Sequence, residues 1–222
     1  MSRVVLITAH PSPTSFNAAL AAAYRAGAKH AGAQVTHVDA TALIFDPVLR
    51  VGLDAPQLPD EPDLARVRAA VEAAHHVAWI FPTWWVGLPA ALKALVDRLL
   101  IPGWAYRHEG RALPTGLLRG RSTRYVATMD SPALWYWLAH HDALGGAFGR
   151  GTLSYVGFGP IRRDLVFSVR KLSARQRQRW IERMSVVGAR EVEGLRPQKS
   201  FSTTFCSSFS SMRRNSPGPT QE

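Results

Sequence analysis

Two hydrophobic periodicities alternate along this chain, and that alternation restricts its fold more than any other feature. Short runs rich in β-branched and apolar residues read as strands at positions 3–8, 34–38, 76–81, 123–129 and 152–156. Helical spacing fills the intervals. Over 16–31, Phe16, Leu20 and Tyr24 share a face, with Ser15 as N-cap and Gly32 as the stop. Over 63–74, Leu64, Val67 and Val71 do the same, and over 89–100 so do Leu92, Val96 and Leu99, with Pro89 suited to the first turn. A helical stretch is expected near 134–148. A last helix opens at Ser173, where Gln176 completes a capping box and Trp180, Met184 and Val187 follow at helical spacing. Five strands separated by helices imply a parallel sheet covered on both faces, an α/β three-layer sandwich. Right-handed crossovers favour strand order 2-1-3-4-5, with ligands bound beyond the carboxyl ends of strands 1, 3 and 4.

The 222 residues suffice for one such domain, expected over 1–197. A proline-containing loop spans 44–62, and residues 198–222 form a Ser/Thr-rich segment without periodicity that reads as a disordered tail. No apolar run reaches the ~18 residues of a membrane span, and the N-terminus lacks signal-peptide character. Cys206 is the single cysteine, which excludes an internal disulfide and a Cys-rich zinc centre. No histidine spacing points to a metal either. A cytoplasmic protein is the expectation. The net charge of +11 comes from basic residues such as Arg119, Arg121, Arg124, Arg162, Arg163 and those between 170 and 190. They do not alternate with aromatics, so they read as solvated charge that attracts anionic cofactors rather than as a nucleic-acid interface.

Three loops follow the relevant strands. The first, Ala9-His10-Pro11-Ser12-Pro13-Thr14-Ser15-Phe16-Asn17, lacks Gly-x-Gly-x-x-Gly but sets hydroxyls and an amide at a helix N-terminus, where phosphate binds. Helix capping by Thr14 and Ser15 accounts for the same residues. The second, Pro82-Thr83-Trp84-Trp85-Val86-Gly87, offers flat apolar walls and backbone donors of the kind an isoalloxazine ring needs; core or dimer packing also explains its tryptophans. The third, Thr128-Met129-Asp130-Ser131, would close the other side of that ring, while Asp130 or Ser131 also suits an N-cap. His140 and His141 stand on the next helix. They read either as surface residues or as groups that balance charge and protons beside a flavin.

Together these loops resemble the NAD(P)H:quinone oxidoreductase family, of flavodoxin-like fold, over roughly residues 2–190. Ala9-His10 with Thr14 to Asn17 resembles its flavin-phosphate segment. Phe81-Pro82, Trp85, Gly87, Pro89-Ala90 and Leu92-Lys93 resemble its isoalloxazine signature. Pro102-Gly103-Trp104-Ala105-Tyr106 resembles its quinone-pocket loop. The resemblance implies that His10, Phe16 and Asn17 contact the phosphate region, that Thr83, Trp84, Trp85 and Val86 border the ring, and that Trp104, Ala105 and Tyr106 face substrate. Tyr136 falls at the family's active-site tyrosine. The family histidine falls at Asp142, next to His141. Thr128 to Ser131 departs from the Thr-Thr-Gly-Gly of mammalian-type members. The long C-terminal extension of those members is not evident, which leaves FMN and FAD both open.

The implied activity passes two electrons from NAD(P)H through the flavin to a quinone or similar small acceptor, in a homodimer. Exposed-looking Trp104, Trp135 and Trp137 fit a dimer, and core packing explains them equally. Azo- or nitro-compound reduction on the same scaffold, a flavodoxin-type electron carrier, and a regulatory subunit associated peripherally with a potassium-efflux system are the competing readings.

Overall fold

The computed structural model describes residues 1–50, 52, 61–110 and 114–195. Along the chain run β1 (Arg3–Thr8), α1 (Phe16–His30), β2 (Gln34–Asp39), α2 (Pro62–Ala73), β3 (His76–Pro82), α3 (Ala90–Leu99), β4 (Tyr106–Arg107), β5 (Thr115–Gly116), β6 (Ser122–Thr128), α4 (Ala133–His140), a wide helical segment (Gly145–Ser154), β7 (Ile161–Val166) and α5 (Ala174–Gly194). The five long strands form one parallel sheet in the order β2-β1-β3-β6-β7, which is 2-1-3-4-5 when only they are counted. β4 and β5 pair apart from it, antiparallel. The expected tail at 198–222, Cys206 and most of the second half of the 44–62 loop lie outside the described residues.

The strand period of two divides the core. Val4, Leu6, Ala78, Ile80 and Val126 pack with Leu20, Tyr24 and Met184 of α1 and α5. Val5, Ile7, Trp79, Phe81 and Tyr125 pack the other way, on Val67, Leu95 and Phe148. A strand between two helical layers has no solvent face, so β3 is buried at every position. Ser15 caps α1 and the Ser173–Gln176 box caps α5, as their sequences imply. Pro89 sits one place before the helix, at the N-cap of α3.

The fifth strand is not at 152–156. Those residues finish the wide helical turn, in which the Thr152 hydroxyl donates to the Ala147 carbonyl five residues back, at 3.0 Å. Phe148, Leu153 and Val156 point into the core at helical intervals, while Ser154 and Tyr155 stay outside. The run resembles a strand only because its Thr, Tyr and Val are β-formers. The actual strand, β7, carries Arg162, Arg163 and Asp164. It lies at the sheet edge, where charge deters pairing with another chain and also erases the apolar signature. The helix expected over 134–148 likewise stops at His140, because His141 and Asp142 both take left-handed backbone, φ 44° and 56°.

α1 and α5 approach unusually closely. A Cβ on Gly27 would lie 1.8 Å from the Ser185 carbonyl oxygen, and one on Gly188 2.2 Å from that of Tyr24. Helix propensity alone would make Gly27→Ala stabilising by about 1 kcal/mol. The clash is with backbone, so relief requires moving a helix, and overpacking costs more than that gain, about 1–3 kcal/mol. Gly27→Ala should therefore lower the urea unfolding free energy on balance; a more stable variant would show that the helices do not pack this closely.

His76, at the start of β3, is fully buried with Nδ1 2.7 Å from the Ser122 hydroxyl. Burial holds its pKa down at about 4, with Arg124 and Arg162 adding to the depression and Glu191 opposing it. Between the unfolded value near 6.5 and about 4, the unfolded chain binds the extra proton, so stability falls as pH falls through that window. Unfolding at pH 7 and pH 4.5 should differ through this group by about 2 kcal/mol. Replacing His76 with Gln should flatten that part of the profile, and an unchanged profile would remove His76 as its source.

Candidate site at the carboxyl ends of the strands

The three loops named from the sequence converge on one residue, Thr128, at the end of β6. Its carbonyl accepts from the Thr83 amide at 2.8 Å and from the Thr83 hydroxyl at 3.1 Å. Its own hydroxyl accepts from the Asn17 side-chain amide at 2.9 Å. One residue of the third loop thus fixes the first turn of α1 and the start of the second loop. Asn17 and Thr128 are both buried, and Asn17 Oδ1 has no hydrogen-bond partner. A buried amide oxygen without a donor is costly, about 1–3 kcal/mol, and marks where a donor-bearing ligand would be favoured.

In the first loop Ser15 caps α1, its hydroxyl oxygen accepting from the Ala18 amide at 3.1 Å. Capping leaves the hydroxyl proton free to donate, and the Phe16 and Asn17 amides, in the first helical turn, have no intrahelical acceptor. Capping and anion binding are therefore compatible at Ser15. His10 accepts from the Ser12 amide on Nδ1 at 3.0 Å, which leaves the proton on Nε2. Ser12 and Thr14 hydroxyls pair at 3.1 Å. Phe16 turns away, under the Arg177 guanidinium at 5.5 Å.

The second loop is a two-residue reversal. Trp84 and Gly87 exchange backbone hydrogen bonds of 3.2 and 3.0 Å, and between them Trp85 and Val86 both adopt positive φ, 53° and 62°. Such turns ordinarily use Asn-Gly; a β-branched valine there is strained. Trp84 packs edge-on to His10 with ring centroids 6.3 Å apart, joining the first two loops. Trp85, at the tip, is fully exposed.

In the third loop Asp130 does not cap α4, whose N-cap is Pro132. Its carboxylate instead accepts from the Arg170 amide at 3.0 Å and pairs with the Arg170 side chain. Ser131 accepts through its carbonyl from the Ser168 amide, and Met129 donates to Val166. Tyr136 is buried; its hydroxyl donates to Asp142 at 3.2 Å and accepts from the Leu144 amide at 3.1 Å. Burial, reinforced by the Asp142 carboxylate, pushes this phenol above its ordinary pKa. Asp142 is held by Arg163, 2.6 Å from both carboxylate oxygens. His141 is exposed on its left-handed backbone, so the side chain that meets Tyr136 is Asp142.

Trp104, Ala105 and Tyr106 are not brought to these loops within one chain. α3 starts beyond the end of β3 and carries the chain back about 15 Å to the amino ends of the strands. There Trp104 donates to Glu72 in the last turn of α2, and Tyr106 packs on Tyr155 at 5.1 Å. Ala105 is fully buried.

Sequence reasoning passed over the flank of the first loop. A cavity of about 180 Å³ lies between α1 and the ends of β1 and β2, with Arg25, His37 and Asp39 on its wall beside Ser12 and Asn17. Burial first, and Arg25 next, lower the His37 pKa against the pull of Asp39. The signal was present: Ala18, Ala21, Ala22 and Arg25 follow helical spacing, three small residues leaving room and one cation closing it.

The strained turn gives a prediction with two signs. Trp85 buries nothing in one chain, and asparagine tolerates left-handed backbone better than tryptophan. Trp85→Asn should raise the unfolding free energy by about 0.5–1 kcal/mol, measured by urea denaturation in the absence of added ligand. A loss of stability would mean that the tryptophan ring supports the isolated turn.

Residues 2–186 match the family model described as flavodoxin-like fold. NAD(P)H dehydrogenase [quinone] 1 of Rattus norvegicus is 28% identical over 190 residues, covering 75% of this chain and 69% of the rat protein. The NAD(P)H:quinone oxidoreductase of Methanothermobacter marburgensis superposes with a TM-score of 0.73 at 20% identity, over 86% of this chain and 96% of that one. The FMN-dependent NADH-azoreductase of Bacillus anthracis, solved with FMN, gives a TM-score of 0.71 at 12% identity, over 86% of this chain and all of the other. With the match to the family model spanning nearly the whole described chain, this protein belongs to the flavodoxin-like fold family.

Proposed function

We propose that the loops after β1, β3 and β6 hold a flavin, and that the protein transfers two electrons from NAD(P)H to a quinone or similar small acceptor. The observation that carries this reading is the Thr128 junction, which fixes a phosphate-type pocket and an aromatic turn against each other with one buried acceptor, Asn17 Oδ1, left unmatched. The hydroxyls of Ser12, Thr14 and Ser15 and the free amides of Phe16 and Asn17 suit a flavin phosphate at the positive end of α1. Pro82, Thr83, Trp84, Trp85 and Val86 on one side, and Thr128, Met129, Asp130 and Ser131 on the other, border the space for the ring. The Trp84 and Gly87 amides bond each other's carbonyls across the turn, so the Trp85 and Val86 amides between them are the ones to meet the ring's polar edge.

The flavin, when bound, supplies the redox chemistry. The chain positions and screens it. Tyr136 stays protonated because burial and Asp142 disfavour its phenolate, so it remains a neutral hydrogen-bonding group. Arg163 neutralises and orients Asp142, the position at which the family histidine aligns, behind Tyr136. Trp104, Ala105 and Tyr106 stand at the far end of their own chain, so their substrate role requires a second copy. A homodimer is accordingly part of the proposal.

Mass spectrometry of cofactor released from the purified protein should find FMN or FAD. Stopped-flow mixing with NADH or NADPH should then bleach the flavin band, and an acceptor quinone should restore it. Asn17→Ala should weaken flavin binding roughly tenfold, the cost of one lost buried hydrogen bond and the junction it supports. A chain that binds no flavin, or a bound flavin that neither nucleotide reduces, would sink the reading.

A further inference from the structure

The basic residues are not spread as uniform solvated charge. Four arginines gather around a cavity of about 670 Å³ beneath the C-terminal half of α5, where β6 and β7 begin. This is the opposite end of the sheet from the three loops. Arg124 and Arg162 are register neighbours on adjacent parallel strands, a like-charge pairing that is unfavourable unless countered. Glu191 counters it, accepting from Arg124 at 2.6 Å and from Arg162 at 2.8 Å. Asp164 pairs with Arg124 and with Arg183. Two buried carboxylates thus face three arginines, and the fourth, Arg190, has no ion pair among the described residues. The cluster keeps an excess of two positive charges.

Clamping α5 to the sheet accounts fully for Arg124, which is largely buried between both carboxylates, and in part for Arg162 and Arg183, whose ion pairs also join β7 to α5. Arg162 and Arg183 have side chains 48% and 59% exposed and commit one guanidinium nitrogen each to a carboxylate. Their remaining donors, with those of Arg190, border the cavity. Val186, Val187 and Pro160 give it an apolar wall. Forked guanidinium donors on several sides suit phosphate oxygens, and the volume exceeds what a bare phosphate fills. Residues 196–222 carry Arg196, Lys199, Arg213 and Arg214 against Glu222, a segment of net positive charge.

We propose that this rear cavity binds a phosphate-bearing small molecule with at least two negative charges and an apolar body, independently of the flavin site. Inorganic pyrophosphate is the simplest probe. Calorimetric titration into the full chain, loaded with flavin and then freed of unbound flavin, at constant ionic strength, should give saturable binding with Kd below about 1 mM. Arg190→Gln breaks no ion pair or hydrogen bond seen in the fold and should weaken that binding roughly tenfold, as should Arg162→Gln. Flavin content and reduction by NAD(P)H should be the same in Arg190→Gln as in the parent. Absence of binding, or equal affinity in both variants and the parent, would overturn the proposal whether or not the chain carries a flavin.

Discussion

The hydrogen bonds on Thr128 are the constraint from which the front of the molecule follows. A doubly wound sheet brings the ends of β1, β3 and β6 together, but it does not fix the loops beyond them. Thr128 does so with its two oxygens: the carbonyl takes both donors of Thr83, and the hydroxyl takes the amide of Asn17. The Asn17–Thr128 bond is buried, so a valine at this position would leave the Asn17 donor without a partner while changing the volume little. Because α1 begins one residue before Asn17, the same junction sets the direction in which the helix presents its free amides. The start of α1 and the aromatic turn after β3 are positioned by one residue.

Strain accumulates next to that junction. The described residues outside glycine with positive φ are Trp85, Val86, His141, Asp142 and Ser168. Four of them form two consecutive pairs that bend the loop after β3 and the chain after α4. Conformations of this sort cost of order 1–3 kcal/mol each and persist when surrounding contacts over-determine them. Around Asp142 those contacts are visible, a bidentate Arg163 and the Tyr136 hydroxyl. Around Trp85 the backbone is held by the Trp84–Gly87 hydrogen bonds and by Val86, which packs on the core, while the Trp85 ring itself is fully exposed.

What the sequence made legible follows this physics. Elements buried on both faces, such as β1 and β3, announce themselves as apolar runs, and helix caps at Ser15 and Ser173 announce themselves by residue type and spacing. The loops stand out in the sequence as hydroxyls at a helix start and paired tryptophans after a buried strand, and the structure gives Ser15 a capping role and packs Trp84 on His10. Residues 152–156 were misread as a strand because a helical turn built from Thr, Tyr and Val carries strand composition. His141 reads from sequence as a charge-balancing group, and nothing there signals that two successive non-glycine residues turn left-handed and bring Asp142 to Tyr136 instead. Nor could the resemblance that linked Trp104 and Tyr106 to the substrate show that α3 returns them to the other end of the sheet.

β7 explains why its own signal was faint. An edge strand in a parallel sheet needs charge to resist further pairing, and this one carries Arg162, Arg163 and Asp164 in succession. Strand geometry sends alternate side chains to opposite faces. Arg162 and Asp164 therefore join Arg124 and α5 on one side, and Arg163 joins Tyr125 and Asp142 on the other. The substitution of charge for hydrophobicity that hides β7 from a periodicity reading is the same one that organises the rear arginine cluster and anchors Asp142 beneath Tyr136. One strand protects the sheet edge, and its two faces supply polar networks on opposite sides of the sheet.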